Sequence, residues 1–214
     1  MSFNSKETSI ENAHLYGDIL PSIFRLRHQG FKQRQNYDVP YYKDMEYDAY
    51  DTPATTYLAW RDQNNIVRGC TRLFPTTRPY MIEELWPETL KGTALPKTSN
   101  VWEASRFCID KNLPTETRKK IHGELLCAFQ EFGLNHKIDW MIGVMTPPIW
   151  RAVFINAGWP IEYLGDALEL APKEKILTGK MKISKKILYL LQGKFSIYAP
   201  VLEETIYSPE KKSA

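Results

Sequence analysis

Apolar residues recur along the chain with two different periods, which predict helices and strands in turn. Residues 18–33 and 115–136 carry apolar side chains at helical spacing, and Pro147 and Pro148 begin a third predicted helix that ends at Asn156. Five runs that predict strands are residues 56–61, 65–74, 100–109, 138–145 and 161–170. Because strands lie before, between and after helices, the pattern predicts an α/β fold, a layered sandwich around a mixed sheet.

The remaining segments are predicted to connect these elements within one domain. The length of 214 residues favours a single domain over residues 1–207, followed by a polar tail at 208–214 that is expected to fray. Residues 36–53 are rich in aromatic and acidic residues without a period, and they are predicted to form a loop. Residues 62–65, with the sequence DQNN, are typical of a hairpin turn between two strands.

Composition argues against several classes of protein. The net charge of +3 is too small by itself to indicate nucleic-acid binding. Three widely spaced cysteines show no disulfide framework and indicate a reduced, cytoplasmic protein. The four histidines lack metal-ligand spacing, so no metal site is expected. The first residues lack the apolar core of a signal peptide, and no apolar run approaches the ~20 residues that span a bilayer, so no membrane insertion is expected.

Six charged residues interrupt segments that are otherwise apolar or aromatic. They are Arg27, Asp48, Asp51, Arg72, Glu103 and Arg106. A charge in such a setting is costly unless it is paired, so the three arginines and three acids are predicted to pair across a cleft. The alternative, for any one of them, is a solvated strand face. In a regular strand the side chains of Glu103 and Ser105 point to one face and that of Arg106 points to the other. Either a bulge brings Arg106 to the same face, or Arg106 has a supporting role; the sequence leaves both alternatives open.

Motifs for phosphate binding and for a serine nucleophile are missing from the sequence. The chain has only 11 glycines, and none forms a Gly-rich loop of the dinucleotide-binding, P-loop or R-x-x-G-x-G/A kind. Ser105 lies two residues after Glu103, but no G-x-S-x-G elbow surrounds it. Covalent catalysis therefore has little support.

Four motifs, in order and with matching spacing, resemble the acyl-homoserine-lactone synthase, or autoinducer synthase, family. They are FRLRHQGF from Phe24, MEYDAYDTPATTYL from Met45, RLFPTTRPYMI from Arg72 and VWEASRFCID from Val101. The resemblance runs from about residue 14 to residue 170 and is loose in the carboxy-terminal segment. It implies a single-domain three-layer sandwich with a mixed twisted sheet, the architecture of GNAT-type acyltransferases.

The resemblance also implies a reaction and its partners. Family members transfer an acyl group from an acyl carrier protein or acyl-CoA to the amine of S-adenosylmethionine, then close a lactone and release methylthioadenosine, which makes a quorum-sensing signal. S-adenosylmethionine is a substrate, so no cofactor is expected, and nucleic acid is not an expected partner. Two alternatives are a GNAT-type N-acyltransferase that uses acyl-CoA and a non-catalytic binding module whose basic third contacts nucleic acid.

The family's functional positions carry over onto this sequence. The expected substrate-binding residues are Arg27, Phe31, Tyr37, Asp48, Asp51 and Arg72, together with Trp102, and the expected catalytic residues are Glu103, Ser105 and Arg106. Tyr37 is a departure, because the family usually has tryptophan there; tyrosine keeps a flat ring and adds a hydroxyl. Glu103 is the expected general base, and backbone N–H groups near Ser105 or residues 141–144 are the expected oxyanion donors.

The acyl chain is expected to lie beside the strand that ends near Met145. Val144, Met145, Thr146 and Trp150 follow this strand or lie on the next helix, where they either wall an acyl tunnel or belong to the core. Because Trp150 is bulky and the two prolines before it are rigid, the sequence predicts a short, branched or aryl acyl group.

The carrier of the acyl group is expected to contact a basic patch. Residues 173–194 contain seven lysines against one acid, and Lys182, Lys185 and Lys186, with Arg151 on the preceding helix, are predicted to bind an acidic acyl carrier protein. The same lysines would also suit the phosphates of CoA. A solvated lysine-rich segment is the alternative.

Overall fold

The computed structural model describes residues 5–203 except positions 91, 93, 95, 172 and 173. The tail predicted at 208–214, and both ends of the predicted domain, lie outside the described residues. In the described part of the chain the α-helices are α1 Ile19–Arg27, α2 Met81–Leu85, α3 Thr115–Asn135, α4 Pro147–Val153 and α5 Lys185–Phe195. A π-helical segment, His28–Arg34, continues α1 without a break. Short 3-10 helices are Ala13–Tyr16, Pro87–Leu90 and Ile155–Ala157.

Eleven strands lie in the same part of the chain, and nine of them form one mixed sheet. They are β1 Ser5–Thr8, β2 Tyr41–Tyr42, β3 Met45–Glu46, β4 Thr56–Arg61, β5 Val67–Pro75, β6 Val101–Ile109, β7 Trp140–Met145, β8 Ile161–Tyr163, β9 Leu168–Ala171, β10 Glu174–Lys182 and β11 Leu202–Glu203. The sheet order is β11-β1-β4-β5-β6-β7-β10-β8, with β9 paired to β10. The central pair β6–β7 is parallel, and its neighbours β5–β6 and β7–β10 are antiparallel.

Helices cover both faces of this sheet, as the alternation of side chains along β4 shows. Tyr57 and Ala59 pack against α1, whereas Leu58 and Trp60 belong to the core formed with α3, α4 and α5. The helix predicted at 115–136 buries its apolar stripe in that second core, as expected. The predicted α/β fold, a single-domain three-layer sandwich with a mixed sheet, is confirmed.

Three local predictions need correction. The strand predicted at 161–170 is two short strands, β8 and β9, which are interrupted near Gly165 and both pair with β10. The loop predicted at 36–53 contains the β2–β3 hairpin. The basic segment 173–194 was predicted only to be a lysine-rich patch, without secondary structure. It contains β10 and most of the amphipathic helix α5, whose N-cap is Ser184. No helix among the described residues is long and apolar enough to cross a membrane.

Candidate active site

A β-bulge in β6 brings the charged residues of this strand to one face of the sheet. Cys70 pairs with Cys108 and Arg72 with Ser105, so one residue of β5 opposes two residues of β6. Arg106 lies in the bulge, with φ of 55°. The bulge returns the Arg106 side chain to the side on which Arg72 and Glu103 lie. Of the two alternatives that the sequence left open for Arg106, the bulge is therefore the one that the structure contains.

The six ion-pairing side chains on this face form a closed ring of alternating charge, which we call the charge ring. Its members, in order around the ring, are Arg27, Glu46, Arg106, Asp48, Arg72 and Asp51. Each arginine contacts two acids and each acid contacts two arginines. The predicted pairing of Asp48 and Asp51 with the three arginines is confirmed. The predicted pairing of Glu103 is wrong, because Glu103 forms no ion pair within the described residues and the third acid of the ring is Glu46, which the sequence did not identify.

Arg27 and Arg72 are the two buried cations of the ring. Arg27 donates to Glu46 at 2.5 Å and to both carboxylate oxygens of Asp51 at 2.7 and 2.9 Å. The Arg72 guanidinium lies 2.5 Å from Asp48 and 3.2 Å from Asp51, and its Nε donates to Ser105 Oγ at 3.0 Å. These arginines hold the pKa of Asp51 well below its usual range, against the effect of burial.

The ring reaches solvent at one edge only. Arg106 donates to Glu46 at 3.1 Å and to Asp48 at 2.7 Å. The Arg106 and Asp48 side chains are 14% and 10% exposed, whereas those of Arg27 and Glu46 are fully buried. A ligand in the cleft therefore meets Arg106 and Asp48, and the remaining members support these two from behind.

Glu103 lies beside the ring on the same face, with its side chain almost completely buried. Its carboxylate accepts hydrogen bonds from the backbone N–H of Ile82 at 2.7 Å and of Met81 at 3.2 Å, at the start of α2. Burial raises the pKa of Glu103 to about 7, and the two N–H donors and Arg72 offset only part of that rise. A carboxylate with this pKa is suited to accept a proton near neutral pH.

Two components of the site could not be assigned from single residues. Glu46 ends β3 two positions before Asp48, and a third acid so close to Asp48 and Asp51 was the usable signal. The N–H groups of Met81 and Ile82 carried no signal, because any residue type supplies a backbone donor.

Aromatic rings from the π-helical segment and the following loop border the exposed edge of the ring. The Arg106 guanidinium lies 5.6 Å from the centre of the Phe31 ring. Phe31 and Tyr37 are stacked, with their centres 6.4 Å apart and their planes 16° apart. Phe31 and Tyr37, both predicted to bind substrate, are thus brought together at the cleft.

The central strands separate immediately beyond Glu103. The parallel pairing of β6 with β7 ends at Glu103 and Ile142. At the next position the strands are still close, since a Cβ on Gly143 would lie 3.1 Å from the Ala104 carbonyl oxygen. Beyond this position, the backbone of β6 from Ser105 and the backbone of β7 from Val144 no longer pair with each other. This leaves an opening between the two strands next to the buried carboxylate of Glu103.

The residues predicted to surround the acyl chain lie on both faces of the sheet. Val144 packs on the Glu103 face, whereas Met145 packs with the fully buried Trp150 on the α3 face. Thr146 is partly buried and precedes α4 as its N-cap. Trp102 also faces α3, where its ring contacts Phe132, so it lies on the opposite side of the sheet from Glu103.

Trp150 fills the space beside two glycines on neighbouring strands. Cβ atoms added at Gly143 and Gly179 would lie 3.4 and 2.8 Å from its indole ring. Its Nε1 donates to the Leu177 carbonyl oxygen at 2.9 Å, which fixes the ring in place. Trp150 therefore occupies the space between α4 and strands β7 and β10.

The predicted carrier-binding residues are not brought together. Lys182 Nζ lies 4.5 Å from the Trp140 ring centre and 4.0 Å from Asp139, at the beginning of β7. Lys185 and Lys186 begin α5, near the carboxy-terminal half of α3. Arg151 is exposed on α4, which follows the other end of β7. The three lysines thus lie at the end of β7 away from the strand opening.

Similarity to proteins of known activity extends over all of these features. A family model described as autoinducer synthase matches residues 11–191. An acyl-homoserine-lactone synthase of Aeromonas salmonicida is 32% identical over 156 residues, which cover 71% of this chain and 74% of that protein. An isovaleryl-homoserine lactone synthase of Bradyrhizobium diazoefficiens is 32% identical over 158 residues, covering 73% of this chain and 70% of that protein.

Solved structures give the same result. A CoA-dependent acyl-homoserine lactone synthase, BjaI, with SAM and isopentyl-CoA has a TM-score of 0.84 at 26% identity, covering 94% of this chain and 92% of that chain. The acyl-homoserine-lactone synthase LasI has a TM-score of 0.70 at 28% identity, covering 82% and 88%. The residues that the family model matches include the charge ring and the strand that carries Glu103.

Proposed function

Because this chain belongs to the autoinducer synthase family, we propose that Glu103 is the general base of an acyl-homoserine-lactone synthase. The enzyme transfers an acyl group from a thioester to the α-amine of S-adenosylmethionine, with release of the thiol. The homoserine carboxylate then closes the lactone and displaces methylthioadenosine. This family membership replaces both alternatives, the GNAT-type N-acyltransferase and the nucleic-acid-binding module.

The observation that carries the proposed role is the buried carboxylate of Glu103 at the strand opening. The substrate amine is mostly protonated at neutral pH, because α-amino groups titrate near ~8. It must lose a proton before it attacks the thioester carbonyl. A carboxylate with a pKa of about 7, fixed by the Met81 and Ile82 N–H groups, matches that task better than an ordinary exposed glutamate.

The charge ring supplies a fixed polar wall for S-adenosylmethionine. Arg106 and Asp48, at the exposed edge, are the proposed contacts for the charged amino-acid end of the substrate. The buried members, Arg27 and Arg72 with their acids, act as positioning residues that hold this edge in place. Phe31 and Tyr37 form a stacked aromatic wall beside it, which suits the adenosyl group.

The oxyanion of the acyl-transfer step forms at the strand opening. Backbone N–H groups that no longer pair across β6 and β7 are proposed to stabilise it, because fixed donors cost no reorganisation during the reaction. Ser105 contributes its backbone there, while its hydroxyl accepts a hydrogen bond from Arg72. A nucleophilic role for this hydroxyl has no support in these contacts.

Ring closure asks little more of the protein. The carboxylate attacks a carbon that carries a sulfonium, an excellent leaving group, so a curled substrate conformation supplies most of the acceleration. Both steps balance with the two substrates alone, so we propose a reaction without cofactor. We further propose that it proceeds in the cytoplasm, where the thiols of the three cysteines stay reduced.

Mass spectrometry of spent medium from cells that express this chain tests the proposed function. N-acyl-homoserine lactones are expected with the wild-type chain and not with an empty vector. A fragment ion of the homoserine lactone ring identifies the product class, whichever acyl group the product carries. A medium that lacks such lactones, from cells that contain folded protein, would contradict the proposal.

Trp150 is expected to limit the length of the acyl group. Trp150→Phe leaves an aromatic ring but vacates space beside Gly143 and Gly179. Each additional CH2 that enters this space contributes about 0.8 kcal/mol, so kcat/KM for the longer acyl thioester should rise roughly fourfold per carbon relative to the shorter one. The measurement is the product ratio from competing acyl thioesters. An unchanged ratio would mean that this ring is core and does not border the acyl chain.

A further inference from the structure

A cavity of about 380 Å³ opens on the α3 side of the sheet, where β6 ends. Phe107 and Ile109 of β6 line it, and Ile149 and Val153 of α4 form the facing wall. His122 of α3 closes one side, with its Nε2 bound to the Val153 carbonyl oxygen at 2.8 Å. The walls are thus largely apolar, as a thioester arm would require.

The rim of this cavity is strongly basic. It contains Arg34, Lys111, Arg118 and Lys119, and no acid is among its lining residues, although Lys119 is paired with Glu116 at 2.9 Å outside the lining. Arg34 and Lys111 form no ion pair with any residue that the structure describes. Arg118 Nη2 donates to Thr115 Oγ1 at 3.1 Å, but its buried Nε has no hydrogen-bond partner within residues 5–203 as described. Positive charge and one orphaned donor therefore face the same space.

A second cavity, of about 220 Å³, adjoins the first and is lined by some of the same residues. Arg34, Ile109 and Lys111 line both. The second cavity also has the polar side chains of Gln33 and Asn112, and its one acid, Asp110, is already paired with Arg68. Arg34 and Lys111 therefore lie between two spaces, each of which can receive an anionic group.

The cavity and Glu103 lie along one strand. Phe107 and Ile109 follow Glu103 by four and six residues, which corresponds to roughly 13–20 Å along a strand. The opening between β6 and β7 begins at Glu103 and continues toward α4, which follows β7 directly. An extended pantetheine arm has a comparable reach, so a thioester at Glu103 would put its phosphate end at the basic rim.

We propose that this basic cavity binds the phosphates of an acyl-CoA, and that CoA is the acyl carrier this chain uses. The inference rests on the proposed function for the chemistry at the thioester. CoA brings a diphosphate and a 3′-phosphate, about four negative charges in all, whereas the arm of an acyl carrier protein ends in a single phosphodiester. Arg34, Lys111 and Arg118 have no acid partner among the described residues, and these three cations around two adjoining cavities match the first of these ligands.

The lysine cluster first expected to contact the carrier is poorly placed for this task. Lys182 is engaged by Asp139 and Trp140, and Lys185 and Lys186 lie near the far end of α3 from Arg118. A carrier protein docked on these three lysines would need its arm to pass around α3 before it entered the strand opening.

The test is calorimetric titration of CoA and of pantetheine, which lacks the phosphates, into wild-type protein and variants. Arg118→Gln and Arg34→Gln are each expected to raise the Kd for CoA by about tenfold or more, since each loses charge-assisted hydrogen bonds. The Kd for pantetheine should stay at its wild-type value. Arg25→Gln, at an exposed arginine of α1, is the matched control and should change neither value.

Three binding results would overturn the inference. They are an unchanged Kd for CoA in both variants, an equal loss for CoA and pantetheine, or a loss for CoA only when Lys182, Lys185 and Lys186 are replaced by Gln. Initial rates with the isovaleryl thioesters of CoA and of an acyl carrier protein supply the second arm, and a faster reaction with the carrier protein would also overturn it. The titration measures CoA binding without turnover. If the protein binds CoA through its phosphates but makes no lactone, the proposed function is wrong and the inference about CoA still holds.

Discussion

Glu103→Gln is expected to lower the turnover number by about 100-fold or more while the fold is retained. The amide has the size of the carboxyl group, and its carbonyl oxygen can still accept a hydrogen bond from the Ile82 N–H. What the variant loses is the basic oxygen that takes the proton from the substrate amine. The measurement is kcat at saturating concentrations of both substrates, with circular dichroism to follow folding.

Glu124→Gln is the matched control for this variant. Glu124 is also a buried glutamate whose pKa is raised by burial, and it accepts a hydrogen bond from Trp60 Nε1 away from the cleft. Its replacement should leave kcat near the wild-type value. If Glu103→Gln keeps a near-wild-type rate with an unchanged Tm, Glu103 is not the base.

The pH dependence of the rate gives a second view of the same group. A base with a pKa of about 7 is active only when deprotonated, so the wild-type rate should fall as pH decreases through 7, by up to tenfold per unit below it. The substrate amine adds its own dependence near ~8. In Glu103→Gln only the dependence of the amine should remain.

Local periodicity was enough to predict most of the central layers. An element that packs one face against the core has apolar residues at a regular period. This pattern predicted the helices at 18–33 and 115–136 and the strands at 56–61 and 65–74. The carboxy-terminal part was missed because its lysines obscured an apolar stripe. Long lysine side chains keep their charge in water while their stems cover apolar surface, so a basic composition does not exclude a packed helix such as α5.

The candidate site was predictable where it depends on charge and unpredictable where it depends on backbone. Charges in apolar segments must find partners, which is why the pairing of Asp48 and Asp51 with arginines followed from the sequence. The bulge at Arg106 is a choice between two backbone paths that no side chain dictates. The N–H donors to Glu103 come from α2, whose approach to β6 depends on the whole fold.

Asp51→Asn is expected to lower the free energy of unfolding by about 3–5 kcal/mol. Asp51 holds both Arg27 and Arg72 and also accepts a hydrogen bond from Tyr57. Asparagine keeps the shape but removes the charge, which leaves two buried guanidinium groups with fewer counter-charges. Chemical denaturation at neutral pH measures the loss. Since these arginines lower the folded pKa of Asp51, its stabilising effect is present at neutral pH and is lost as pH falls below about 4.

Glu169→Gln is the control, because Glu169 and Lys175 form an exposed pair whose loss should cost at most about 1 kcal/mol. A double-mutant cycle then separates the ion pair from a general loss of packing. Arg27→Gln is expected to be costly alone, since it strands Glu46 and Asp51, but Arg27→Gln with Asp51→Asn should cost less than the two single losses together. Additive losses would mean that the two side chains do not stabilise each other, and a loss below about 1 kcal/mol for Asp51→Asn would mean that the charge ring tolerates an unpaired arginine.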